Sequence, residues 1–218
     1  MVVLLTGSVV LGFARSYYFA GFVHAPLPSR MIHVHGVIFS LWFVVLLVQT
    51  FLIPAGRVRW HRKLGLVSYG VAALVVLFGV LAAIDSLRRG VGIGSFDLSV
   101  SFAISIMDMV AFGIVIFSSY RARHRPSAHK RLVLYATLSL MDAAFDRWPY
   151  EQMRMHFSAH TYVYFGFLFF PGFYDLVSTR RIQKSTLWAF LLIATLYEVR
   201  IPMGSTHLWH LLSHAVAE

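Results

Sequence analysis

Eleven histidines occur in this chain of 218 residues, which has no cysteine. Imidazole is the commonest metal-ligating side chain and the axial ligand of many haems; joined by carboxylates, it builds zinc, copper and iron sites. Spacing sorts the eleven. His156 and His160 are four apart and share one face if helical, as two ligands on one helix require. His33 and His35 are two apart and point to nearly opposite sides of a helix, so only one of them faces a bundle interior. His35 is the preferred one, with His33 as its alternative. Asp142 and Asp146 join this set as ligands or as carboxylates that orient the ligands. The first candidate site for a haem or a transition metal is therefore His35, His33, His156, His160, Asp142 and Asp146. The plainer account is a polar interface rich in His, Trp and Tyr. His207, His210 and His214 follow Ser205, a plausible N-cap, at i, i+3 and i+7. They read as one face of an amphipathic helix over 205–218 lying on the external surface.

A second pair is His61 and His129. The run Arg57-Val-Arg-Trp-His61-Arg-Lys-Leu-Gly-Leu66 aligns with Arg125-Pro-Ser-Ala-His129-Lys-Arg-Leu-Val-Leu134 at an offset of 68 residues. Both copies pass from a basic loop into an apolar helix. That reads as a parallel duplication, or as the ordinary pattern of such a junction. A haem held between the two imidazoles finds cations for its propionates in Arg57, Arg62 and Arg131. The same residues also serve as simple cationic anchors.

The elements that position these residues follow from composition. Hydrophobic residues make up 58% of the chain and charged ones 13%, with a mean hydropathy of +0.70. Soluble domains carry about 25% charged residues, so a soluble globule, disorder and a disulfide scaffold are excluded. The net charge of +10 does not point to nucleic acid, because the basic residues sit between apolar runs of membrane-spanning length. Seven stretches approach the ~20 apolar residues that a spanning helix needs. They are 2–22, 32–54, 64–84, 98–120, 132–148, 160–177 (interrupted by Pro171-Gly172) and 186–202. Twelve of the nineteen Lys and Arg fall in the connections after the second, fourth and sixth stretches. The positive-inside rule then places the N-terminus in the cytoplasm and the C-terminus outside. The expected fold is an all-α polytopic bundle of about seven transmembrane helices, one integral membrane domain over 1–218.

Charges inside such spans are costly and mark function or pairing. Arg15, Asp108, Glu198 and Arg200 are of this kind, together with Asp142. Pairing of Arg15 or Arg200 with Asp142 or Asp146 is one account of them. A proton or ion path through Asp108 and Asp142 is the other.

The runs His33-Val-His-Gly-Val-Ile-Phe-Ser-Leu-Trp42, Gly56-Arg-Val-Arg-Trp-His-Arg-Lys-Leu-Gly65, His129-Lys-Arg-Leu and Tyr174-Asp-Leu-Val-Ser-Thr-Arg-Arg181, with Gln49 and the closing Trp209-His210, carry a resemblance. Together they resemble a family of small uncharacterised bacterial integral membrane proteins. The resemblance covers most of the chain and implies a multi-pass protein of the bacterial inner membrane without an assigned activity. Helices with His at both membrane faces are also similar in general look to membrane b-type cytochromes. The function expected is a haem- or metal-binding membrane redox protein with its His and carboxylate site near the external face. The alternatives are a proton- or ion-coupled transporter and an accessory subunit of a membrane complex. Partners beyond the lipid bilayer, a second copy included, are not specified by the residues.

Overall fold

The computed structural model describes residues 1–22, 29–153 and 159–218. His24 and the expected ligand His156 lie outside them. The described residues form helices and connections, with no strand. The helices are α1 (Val2–Phe13), α2 (Arg30–Leu52), α3 (Val58–Arg88), α4 (Leu98–Arg121), α5 (Pro126–Ser139), α6 (Asp142–Asp146), α7 (Ala159–Thr179), α8 (Lys184–Gly204) and α9 (His207–Ala217). A π-helical turn, Ala14–Tyr18, continues α1.

Four of these helices, α2, α3, α4 and α8, are long and apolar enough to cross a membrane. That is fewer than the seven expected, and the differences have local causes. The stretch expected over 2–22 is helical only to Tyr18. The stretch over 132–148 is two helices, α5 and the short α6, parted at Leu140 and Met141. Near this break Ser139 donates its hydroxyl to the Ala136 carbonyl at 2.8 Å, in competition with the helical ladder. α7 has the length, but it carries His160, Thr161, Tyr162, Tyr164, Pro171, Tyr174 and Asp175. The expected interruption at Pro171 does not occur, and α7 runs through it. The Tyr135 hydroxyl on α5 donates to Leu168 O, one turn before Pro171, at 3.1 Å.

Capping explains where several helices begin. Ser29 Oγ accepts from Ile32 N at 3.3 Å, Asp97 Oδ2 from Ser99 N at 2.9 Å, and Thr206 Oγ1 from Trp209 N at 3.3 Å. Thr206, not Ser205, is thus the cap of α9. Pro126 starts α5, where its missing N–H costs nothing.

α4 is the hub, packed against α3, α5 and α8. The core around it includes Trp42, Val75, Phe112, Val115, Tyr135, Leu138, Phe145, Leu168 and Ile193. Close approach of α8 to α4 depends on Gly204, where a Cβ would stand 2.7 Å from Val100 Cα and 2.9 Å from Ala103 Cβ. α9 docks on the same end of the bundle. Trp209 Nε1 donates to Ser99 O at 2.9 Å, Ser213 and Ser99 share a 2.9 Å hydroxyl contact, and Arg88 Nε donates to Val216 O at 3.1 Å.

Candidate functional site

α3 begins at Val58, more than a turn earlier than its apolar stretch suggests, so His61 lies in its first turn. His129 lies in the first turn of α5. The two rings, at equivalent positions of the 68-residue offset, meet with centroids 6.4 Å apart and planes at 77°. Both are half-buried, and both line a cavity of about 640 Å³. Its walls are largely apolar, from Trp42, Val45, Leu46, Ile116, Leu134 and Phe170, and its polar lining includes Gln49, Tyr69, Lys130 and Arg131.

The Nδ1 atom of each ring is engaged. His129 Nδ1 lies 3.3 Å from the Ser119 carbonyl, to which it donates, and 3.4 Å from the Tyr69 hydroxyl. That hydroxyl is itself 2.8 Å from Ser119 Oγ. At His61 the partner is the Gln49 amide. With its oxygen accepting from Gly65 N at 2.8 Å, its nitrogen donates to His61 Nδ1. Among the described residues, Nε2 is the nitrogen without a hydrogen-bond partner on each ring; on His61 it carries the proton while Nδ1 accepts from Gln49.

Arg131 lines the same cavity, but it does not offer its guanidinium to an anion there. It pairs with Asp175 through Nε (2.9 and 3.1 Å) and Nη2, and its Nη1 donates to the Ser127 carbonyl at 2.7 Å. Asp175 also accepts from Gln183 N at 3.1 Å and from the Thr186 hydroxyl at 2.5 Å. Lys130 is exposed at the rim, and Arg57 and Arg62 are exposed.

The first candidate set is distributed differently. His33 is exposed beside the Tyr17 ring, at 5.7 Å between centroids. His35 is half-buried, its Nδ1 3.3 Å from the Phe78 carbonyl. His160 Nε2 lies 3.2 Å from the Thr161 hydroxyl. Asp146 ends α6 beside Arg147. Asp142 is taken by Arg200, which donates Nη2 to its Oδ2 at 2.7 Å and Nη1 to Asp108 Oδ1 at 3.2 Å. Among the described residues no three His, Cys, Asp or Glu side chains cluster closely enough to hold a metal ion. No family model matches the chain. Nor does any curated protein or solved structure.

The expected pairing of Arg200 with Asp142 is present, and Asp108 joins it. Arg15 meets Gln152 instead, whose amide oxygen accepts from Nη1 at 3.3 Å. Glu198 is exposed on α8. His210 lies 3.9 Å from Asp97, while His207 and His214 are exposed. Sequence reasoning missed Gln49, Tyr69, Ser119 and Asp175. Gln49 and Asp175 carried a signal, as polar residues within otherwise apolar stretches.

Proposed function

We propose that the protein is a membrane redox protein that holds a b-type haem between His61 and His129. The observation that carries this reading is the donor count. Two imidazoles on separate helices converge on one largely apolar cavity, and two axial ligands are what a haem takes. A bare zinc ion would need three or four protein ligands. The apolar walls suit a porphyrin face, and Lys130 is the lining cation open to a propionate, in place of Arg131. A haem, when bound, supplies one-electron chemistry. The chain's own part is to fix both rings, exclude water through Trp42, Leu46 and Ile116, and orient the ligand nitrogens. His61 and His129 would hold the group through Nε2, with the Nδ1 proton of His61 given to the Gln49 amide oxygen and that of His129 to Ser119 O.

In the same reading the polytopic arrangement is the seven-pass one. The broken α5–α6 pair and the aromatic α7 make the fifth and sixth passes, and the His61/His129 end faces the cytoplasm. The basic residues clustered at the start of α3 and α5 support this orientation, and the bacterial inner membrane is the setting it fits.

An absorption spectrum of the detergent-purified protein, before and after dithionite, tests the proposal. A Soret band with sharpened α and β bands on reduction is expected. His61→Ala and His129→Ala should each abolish those reduced bands or leave a high-spin spectrum. A featureless wild-type spectrum after expression with added haem precursor would overturn the reading.

A further inference from the structure

Outside the cavity, one cluster of charges is not balanced. Asp108 on α4, Asp142 on α6 and Arg200 on α8 meet where three separate helices pack. Arg200 is 4% exposed and Asp142 8%. One guanidinium serves two carboxylates, which leaves one surplus negative charge. Asp146 and Arg147 at the end of α6 lie within electrostatic range, but they add one charge of each sign and leave the surplus unchanged. Arg147 donates to Ala143 O at 2.7 Å and lies over the Phe13 ring. The other ionisable neighbours are Tyr197, whose ring covers the Arg200 guanidinium at 3.7 Å, Tyr164, stacked on Tyr197 at 5.0 Å, Tyr150, within electrostatic range of Asp142, and His35 beyond Arg147.

A second observation points to what completes the cluster. Asp142 Oδ1 is buried and has no hydrogen-bond partner. An unpaired carboxylate oxygen in a low-dielectric interior costs several times what a satisfied one does, unless positive charge reaches it. Beside Asp108, Met107, Ser139, Tyr164 and Tyr197 line a crevice with no room for a water molecule. A hydrated cation has no space beside Asp108, whereas a proton needs none. We propose that Asp108 and Asp142 share one exchangeable proton, making this cluster a proton-binding site inside the bundle. The proton arrives as H⁺, neutralises one of the two carboxylates, and takes the cluster from a net charge of −1 to zero; no electrons move. Asp108 is the less buried of the two, its side chain 22% exposed against 11% for Asp142. Two carboxylates facing one cation titrate as a pair, so the proton belongs to both. The site stands without the haem reading.

Infrared difference spectroscopy on the full-length protein in lipid vesicles, at about pH 7.5 and far above the ordinary carboxyl pKa of about 4, tests this. A protonated-carboxyl C=O stretch that shifts on exchange into heavy water is expected. It should be lost in Asp108→Asn and in Asp142→Asn, since either change leaves one carboxylate matched to Arg200. Aspartate carrying a heavy-carbon carboxyl should shift the same band in the wild-type chain, which keeps the test independent of whether the variants fold. Absence of the band in the wild-type protein would overturn the proposal. So would a band that survives both substitutions, or one displaced by sodium at constant pH.

Discussion

The Arg131–Asp175 pair joins α5 to α7 through a buried charge on each side. Both partners are buried, 7% and 1% exposed, and every acceptor position of Asp175 that the fold uses is met by Arg131, Thr186 or the Gln183 amide. Removing one partner strands a charge, so Asp175→Ala or Arg131→Ala should each cost about 3–5 kcal/mol. Replacing both with apolar residues, Arg131→Met with Asp175→Leu, should recover most of that loss. Denaturant unfolding in a mild detergent, read by tryptophan fluorescence, measures both arms. A double variant no better than the single ones would show that the pair does more than neutralise itself. The same pair explains why the basic residue read as a propionate partner is not free to act as one. Its partner lies 44 positions away in the chain, on α7, and no local pattern links the two.

At the scale of elements, the reach of α3 and the approach of α8 to α4 decide what meets what. α3 starts six residues before the apolar stretch that marks it, with basic residues in its first turns. Hydropathy finds the part of a helix that lies in apolar surroundings, so it undercounts a helix whose first turn is polar. That first turn is the one bearing His61. The α8–α4 approach depends on Gly204, four residues beyond Arg200. Gly204→Val should push α8 from the α4 backbone, cost about 1–3 kcal/mol and loosen Arg200 from Asp108. Gly166→Ala, inside α7 where a Cβ meets nothing within 4 Å, should raise stability by about 0.5–1 kcal/mol. Comparison of thermal midpoints of the two variants checks this. Equal shifts would mean that α8 tolerates a wider separation than its packing indicates.

Across the whole molecule, the absence of cysteine makes the proposed seven-pass arrangement directly testable. Single cysteines introduced at Arg59, Arg123 and Arg181 should react with an impermeant maleimide only after the inner membrane of intact spheroplasts is opened. Cysteines at Gly94 and Glu218 should react before it is opened. Labelling of all five from one side would refute the alternation of basic loops as a guide to topology. The all-helical class, the membrane setting and most helix limits were legible in the sequence because they depend on composition and local periodicity. α2, α4 and α8 lie within two residues of their apolar stretches. Pairing of His61 with His129 was legible too, through a repeated run that places both rings at the same point of a helix start. The partners of those rings were not. Gln49, Tyr69 and Ser119 reach them from α2, α3 and α4, and contact between helices depends on crossing geometry that local sequence does not encode. The break in α5–α6, the choice of Arg200 over Arg15 and the joining of Asp108 to that pair, and the burial of Arg131 against Asp175 belong to tertiary structure for the same reason. A charge inside a bundle takes whichever opposite charge packing brings within reach, whatever its distance along the chain.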